Sequence, residues 1–167
     1  MSQEKPLDII KGAILLERKG KAFYENAFQN TKSETVGEIF NTLANEEEKH
    51  IDILEEQYGH LMREGELKAV KRDEKPMDIS SVVITEKVQQ EVSAAGYEAA
   101  AISAAIALEE QAVKFYSEHA SSTDNHIEKE LYQWLANWEK THLTFLSELD
   151  RELMENIWYD NKFWPVI

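Results

Sequence analysis

Two Glu-x-x-His units are the residues of this chain best suited to chemistry. Glu47 and His50 lie in Leu43-Ala44-Asn45-Glu46-Glu47-Glu48-Lys49-His50. Glu139 and His142 lie 92 positions later, in Leu135-Ala136-Asn137-Trp138-Glu139-Lys140-Thr141-His142. Residues three apart on an α-helix share a face about one turn apart, so the carboxylate and imidazole of each unit can point at a common cation. A further glutamate precedes each unit by 30 residues, Glu17 before Glu47 and Glu109 before Glu139. If all six converge, two divalent cations would cancel the charge of the four carboxylates. Without cations the carboxylates would repel one another, and some would have to hold protons. Oxygen and imidazole donors with no sulfur suit iron or manganese, with zinc as a further possible occupant.

Such side chains need helices to hold them, and the sequence supplies the periodicity. Pro6 suits a first helical turn. From Leu7 to about Gln29, Ile10, Ala13/Ile14, Glu17, Gly20/Lys21, Tyr24 and Phe28 fall on one stripe. A glutamate in the middle of a core-facing stripe is costly unless its charge is compensated. Asn30–Ser33 reads as a turn, with Thr31-x-x-Glu34 and Thr35-x-x-Glu38 as candidate capping boxes for the next helix. That helix is expected from about Glu34 to Val70, with Phe40, Leu43, Glu47, His50, Leu54 and Leu61 inward and Gly59 and Gly65 loosening its end. Pro76 breaks the pattern. The interval 71–94, in which Ser81–Ser93 could form a short helix, is too long for a tight helical hairpin. It reads as a crossover that lets the helices on either side run parallel. A third helix is expected from about Ala95 to Ala120, with Ile102, Ala105/Ile106, Glu109, Ala112/Val113 and Tyr116 inward. Asn125-x-x-Glu128 would cap a fourth, running to about Met154 with Tyr132, Leu135, Glu139, His142, Leu146, Leu149 and Leu153 inward. The tail, 156–167, carries Trp158, Tyr159, Phe163 and Trp164 and is expected to pack over a bundle end or a partner subunit.

Displacing the chain by 92 positions aligns more than the two Glu-x-x-His units. Ile10, Ala13, Ile14, Leu16, Glu17, Phe23, Tyr24 and Thr31 recur as Ile102, Ala105, Ile106, Leu108, Glu109, Phe115, Tyr116 and Thr123. Glu38, Leu43, Ala44, Asn45, Leu54 and Glu56 recur as Glu130, Leu135, Ala136, Asn137, Leu146 and Glu148, without a gap in either half. Residues 1–167 are therefore expected to form one all-α domain. Two helical hairpins, about 7–70 and 95–155, would be related by a pseudo-two-fold in a four-helix bundle, bringing Glu17, Glu47, His50, Glu109, Glu139 and His142 together at mid-bundle.

Over roughly 7–155 these motifs resemble a rubrerythrin-type, ferritin-like di-iron protein. A Glu on each of two helices and Glu-x-x-His on each of the other two is the arrangement of such bundles. The resemblance implies that Glu47 and Glu139 bridge two metals, completed by Glu17 with His50 at one and Glu109 with His142 at the other. It also implies that Tyr24 and Tyr116 hydrogen-bond ligand carboxylates, where the residue-level reading leaves plain core aromatics as the alternative. Two features depart from the family. Full-length members carry a four-cysteine, rubredoxin-like iron site, and this chain has no cysteine, so electrons are expected from a separate donor protein. Members also tend to have a further glutamate one turn after the third-helix ligand, where this chain has Ala112, with Gly20 as its repeat mate.

Composition narrows the function classes. A net charge of −14 argues against nucleic acid or an anionic membrane as partner, and the absence of cysteine excludes disulfides and iron–sulfur clusters. No apolar run approaches the roughly 20 residues of a membrane span, and no apolar signal core opens the chain, so a cytoplasmic location is expected. Glu46, Glu48 and Glu110 flank the ligands on other helix faces and are expected to be solvated; His60, His119 and His126 lack repeat mates and are expected at the surface. The reading that follows is a non-haem di-iron oxidoreductase, of peroxidase or oxidase type, acting on peroxide or dioxygen, as a homodimer. Its rivals are a ferroxidase or iron-handling protein without turnover, and a structural bundle whose site is vestigial.

Overall fold

The computed structural model describes residues 4–71, 75 and 96–160, the last five of these as backbone only. Four α-helices follow in order: α1 (Pro6–Asn30), α2 (Glu34–Glu64), α3 (Tyr97–Ser122) and α4 (His126–Asp160). No strand occurs among the described residues, and none of their helices is long and apolar enough to cross a membrane.

The helix ends follow local chemistry, and several differ from the sequence expectation. Pro6 opens α1, where its missing N–H costs nothing. The cap of α2 is Ser33, whose Oγ accepts the N–H of Val36 at 3.2 Å. Neither candidate capping box forms: Thr35 lies inside α2, and the Thr31 hydroxyl donates to Glu98 Oε1 of α3, at 2.8 Å. The Lys32 N–H joins it on the same oxygen. At the equivalent turn, Asn125 Oδ1 accepts the N–H groups of Ile127 and Glu128, at 3.0 and 3.2 Å. The Glu128 carboxylate is meanwhile held by Thr123.

α2 stops short of the expected Val70. Gly65 takes a left-handed φ of 78° and returns its N–H to Leu61 at 3.0 Å, which closes the helix. The chain beyond it is tied back where Gln57 pairs with both backbone groups of Lys68. Ala27, fully buried, takes the stripe position expected for Phe28. The Phe28 ring lies outside, over Gly37. α4 passes the expected Met154 and reaches Asp160, since no glycine or proline intervenes. The expected short helix at 81–93 lies outside the described residues, as does the packing of the aromatic tail.

Two apolar clusters give the helices their directions. One joins Tyr24 and Ala27 of α1 to Val36–Leu43 of α2, Ala101–Ala105 of α3 and Phe145–Leu153 of α4. The other joins Ile9–Ala13 of α1 to Leu54 of α2, Tyr116 and Ala120 of α3 and Leu131–Ala136 of α4. The C-terminal part of α1 thus meets the N-terminal parts of α2 and α3 and the C-terminal part of α4. α1 and α4 run one way, α2 and α3 the other. α2 and α3 are parallel, the arrangement that the expected crossover between them was read to allow. The fold is a ferritin-like four-helix bundle of two hairpins. Its apolar clusters lie on either side of the glutamate and histidine positions.

Gly65 gives the simplest test of this local reading. Nothing lies within 4 Å of the position a Cβ would take there, so Gly65→Ala meets only the backbone cost of a left-handed residue, about 1 kcal/mol. Urea unfolding should show that loss. An unchanged midpoint would mean that α2 does not end in this conformation.

Candidate metal centre

All six candidate ligands are buried in the interval between the two apolar clusters. α1 contributes Glu17, α2 Glu47 and His50, α3 Glu109, and α4 Glu139 and His142. They form two overlapping groups, Glu17–Glu47–His50–Glu139 and Glu47–Glu109–Glu139–His142, in each of which one donor atom per residue lies within 4.8 Å of the others. Glu47 and Glu139 belong to both, and each divides its oxygens between them. Glu47 turns Oε2 toward His50 Nδ1 at 3.5 Å and Oε1 toward His142 Nδ1 at 3.6 Å. Glu139 turns Oε1 toward His50 Nδ1 at 2.8 Å and Oε2 toward His142 Nδ1 at 3.1 Å. Glu17 completes the first group at 3.3 Å from His50, and Glu109 the second at 3.6 Å from His142. His50 Nδ1 and Glu139 Oε1 approach closely, yet that oxygen forms no hydrogen bond. Glu139 Oε1 is thus a buried oxygen with no hydrogen bond, set among carboxylate oxygens and imidazole nitrogens of two four-residue groups, and such an oxygen suits a cation, so the residues fit a pair of metal ions.

The surroundings repeat the symmetry. Tyr24 of α1 donates its hydroxyl to Glu109 of α3, and Tyr116 of α3 donates to Glu17 of α1. Each tyrosine thus serves the carboxylate of the opposite half, not the one two turns before it on its own helix. Phe23 and Phe115 pack edge-on against these rings at 5.5 and 5.4 Å. At Gly20, a Cβ would stand 3.7–3.8 Å from the Glu47 carboxyl group. Gly20 and the small, buried Ala112 thus offer no fifth carboxylate.

Glu46 corrects the sequence expectation. It is fully buried, where the flanking position suggested solvent. Its Oε2 accepts the indole N–H of Trp138 at 2.8 Å, and Oε1 pairs with Lys49 at 2.8 Å. The same Oε2 lies 3.8 Å from His142 Nε2, while Trp138 stands edge-on to the His50 ring at 4.7 Å. The 92-residue displacement contains the signal, because Glu46 and Trp138 are repeat mates. A charged residue aligned with tryptophan in otherwise matched Leu-Ala-Asn segments marks a position that is not simply surface. Glu48 and Glu110 are exposed as expected. His60 and His119 are half-buried and the His126 side chain is largely exposed; none belongs to either ligand group.

Electrostatics show what the centre does with no cation to balance it. Burial pushes the Glu47 carboxyl well above its ordinary value, helped by the charges of Glu139 and Glu17. Burial and Glu139 push Glu109 up to about 7, against the pull of His142 and Tyr24. Burial also opposes the Glu139 charge, but His50 and His142 outweigh it and hold that carboxyl well below the usual range. Burial disfavours charge on both imidazoles, and the carboxylates overcome it. Glu139 and Glu17 raise His50, and Glu109, Glu139 and Glu46 raise His142. The metal-free centre therefore stores protons on Glu47, Glu109 and both histidines.

This fixes a pH dependence. Groups whose values rise on folding contribute stability that is complete below their unfolded values, 4.5 for the glutamates and 6.5 for the histidines, and is lost as pH climbs through the folded values. The lowered Glu139 contributes above 4.5 and is lost only in more acid solution. The metal-free protein should accordingly melt at progressively lower temperature from about pH 5 to about pH 8. Divalent cations should weaken that decline by displacing the stored protons. A melting temperature that is flat over this range without metal would contradict the assignment.

No curated protein sequence and no solved structure matches the chain significantly. The profile of the Rubrerythrin family matches residues 8–150, from the first turn of α1 into α4, and so spans every residue of the centre. With the bundle and its buried carboxylate–histidine cluster, that match places the chain in the rubrerythrin family.

Proposed function

We propose that the protein is a non-haem di-iron oxidoreductase that reduces peroxide or dioxygen with electrons from a separate donor. The division of Glu47 and Glu139 between two four-residue groups carries this reading. In it, Glu17 and His50 with the two shared carboxylates hold one iron, and Glu109 and His142 with the same pair hold the other. Bound iron would supply the redox electrons and the open coordination positions at which an oxidant reacts.

The chain's own residues supply the rest. Four carboxylates neutralise two divalent ions inside an apolar bundle, where unbalanced charge would be expelled or protonated. Tyr24 and Tyr116 fix the orientation of Glu109 and Glu17, as outer partners of ligands do. The apolar clusters on either side keep bulk water from the reacting oxidant. The described centre includes no cysteine-held iron, and its electrons are taken to come from a separate donor.

Anaerobic titration with ferrous iron tests the reading. Two tight equivalents per chain are expected, with both lost or weakened in Glu47→Ala and Glu139→Ala. At free metal about a hundredfold above its Kd, each site should add about 2.7 kcal/mol of stability. Mixing the loaded protein with peroxide or dioxygen should then oxidise the iron in a rapid absorbance change. Uptake that ignores both substitutions, or no uptake, would leave a helical bundle without this function.

A further inference from the structure

An indole chain leads from the centre to the surface. Trp138 is buried and touches both halves of the site. It stands edge-on to His50 at 4.7 Å, and its Nε1 donates to Glu46 Oε2, the oxygen that faces His142 Nε2. A metal on Nδ1 of His142 would place the imidazole proton on Nε2, toward that carboxylate. On its other side Trp138 meets Trp134, edge-on at 5.1 Å. Trp134 is half-buried and lines a surface pocket with Gln57 and Lys68. Two oxidisable rings and one carboxylate thus connect the ligand shell with solvent. Tyr24 and Tyr116 offer no such route. Each is buried, and its close ring neighbours are phenylalanines.

Glu46 suits more than packing. Oxidising an indole by one electron makes its N–H strongly acidic, so the loss is eased when a base already accepts that hydrogen bond. A carboxylate is a stronger acceptor than a neutral group. The pseudo-two-fold brings positions 46 and 138 together, and their difference in type makes one the proton donor and the other the acceptor.

We propose that Trp134 and Trp138 form a one-electron relay between solvent and the centre, with Glu46 holding the proton that Trp138 gives up. The proposal rests on the iron reading above. Reducing dioxygen to two waters takes four electrons and four protons; solvent supplies the protons, and two ferrous ions passing to ferric supply two of the electrons. For the others, Trp138 yields one electron toward the centre and its Nε1 proton to Glu46 Oε2, becoming a neutral indolyl radical. Trp134 then returns an electron to Trp138, which recovers the proton from Glu46. A one-electron reductant in solution, ascorbate as the probe, restores Trp134. A second passage delivers the fourth electron.

The test uses the full chain loaded with two ferrous ions, mixed with dioxygen and freeze-quenched for electron paramagnetic resonance. A transient indolyl radical is expected, identified by the change in its signal when the tryptophans are ring-deuterated. Trp138→Phe should abolish it. Trp134→Phe should keep the radical but remove the sensitivity of its lifetime to ascorbate. Anaerobic iron counts and melting curves on each variant show whether the bundle and its centre are intact. Failure of the parent chain to take up two irons would overturn the functional reading, and the relay with it. Normal iron uptake and oxidation with no radical would overturn the relay alone. So would a radical that responds to deuterated tyrosine instead, or one that survives in intact Trp138→Phe.

Discussion

Four carboxylates and two imidazoles share the interior of an apolar bundle, and their charge has to be balanced there. Water cannot do it, because the six side chains are buried. Protons do it in part, on Glu47, Glu109 and the histidines, while Glu139 stays ionised between the two rings. Two divalent cations would do it with the full set of donors, displacing those protons. The rest of the design serves this requirement. Apolar clusters on either side hold the four helices at the spacing the site needs, and the tyrosine hydroxyls prevent Glu17 and Glu109 from turning away.

The pseudo-two-fold satisfies that requirement economically. Each hairpin supplies one lone glutamate and one Glu-x-x-His unit, and neither hairpin can close a four-residue group alone. Each group takes a shared carboxylate from the other half, and each tyrosine reaches across to the other half's glutamate. The centre is therefore complete only when the two hairpins are associated. Disruption of the centre should be felt in the packing of both halves.

Where the symmetry breaks, the chemistry becomes directional. Glu46 and Trp138 occupy equivalent positions but are unlike, and so they bond across the axis. His142 consequently has a carboxylate beyond its outer nitrogen, whereas His50 has an indole beside its ring. Two metal ions held by matching ligands would still sit in different electrostatic surroundings. The asymmetry also aims one side of the site at Trp134 and the surface.

Much of this was legible in the amino-acid order. Helical periodicity with glutamates inside the apolar stripe, the 92-residue repeat and the unbroken spacing from Glu17 to Glu47 and Glu109 to Glu139 named the six residues and the bundle. They could do so because burial is periodic and a charge on a buried face needs a reason. The cap at Ser33, the stop at Gly65, the crossed tyrosine bonds and the burial of Glu46 were not legible. Thr31 abandons its local cap for Glu98, a partner 67 residues away. Glu46 is drawn inside by an indole on another helix. Local pattern assigns a face to each residue, but which partner that face meets depends on how closely and in what rotation the helices pack, and that is set by all four at once.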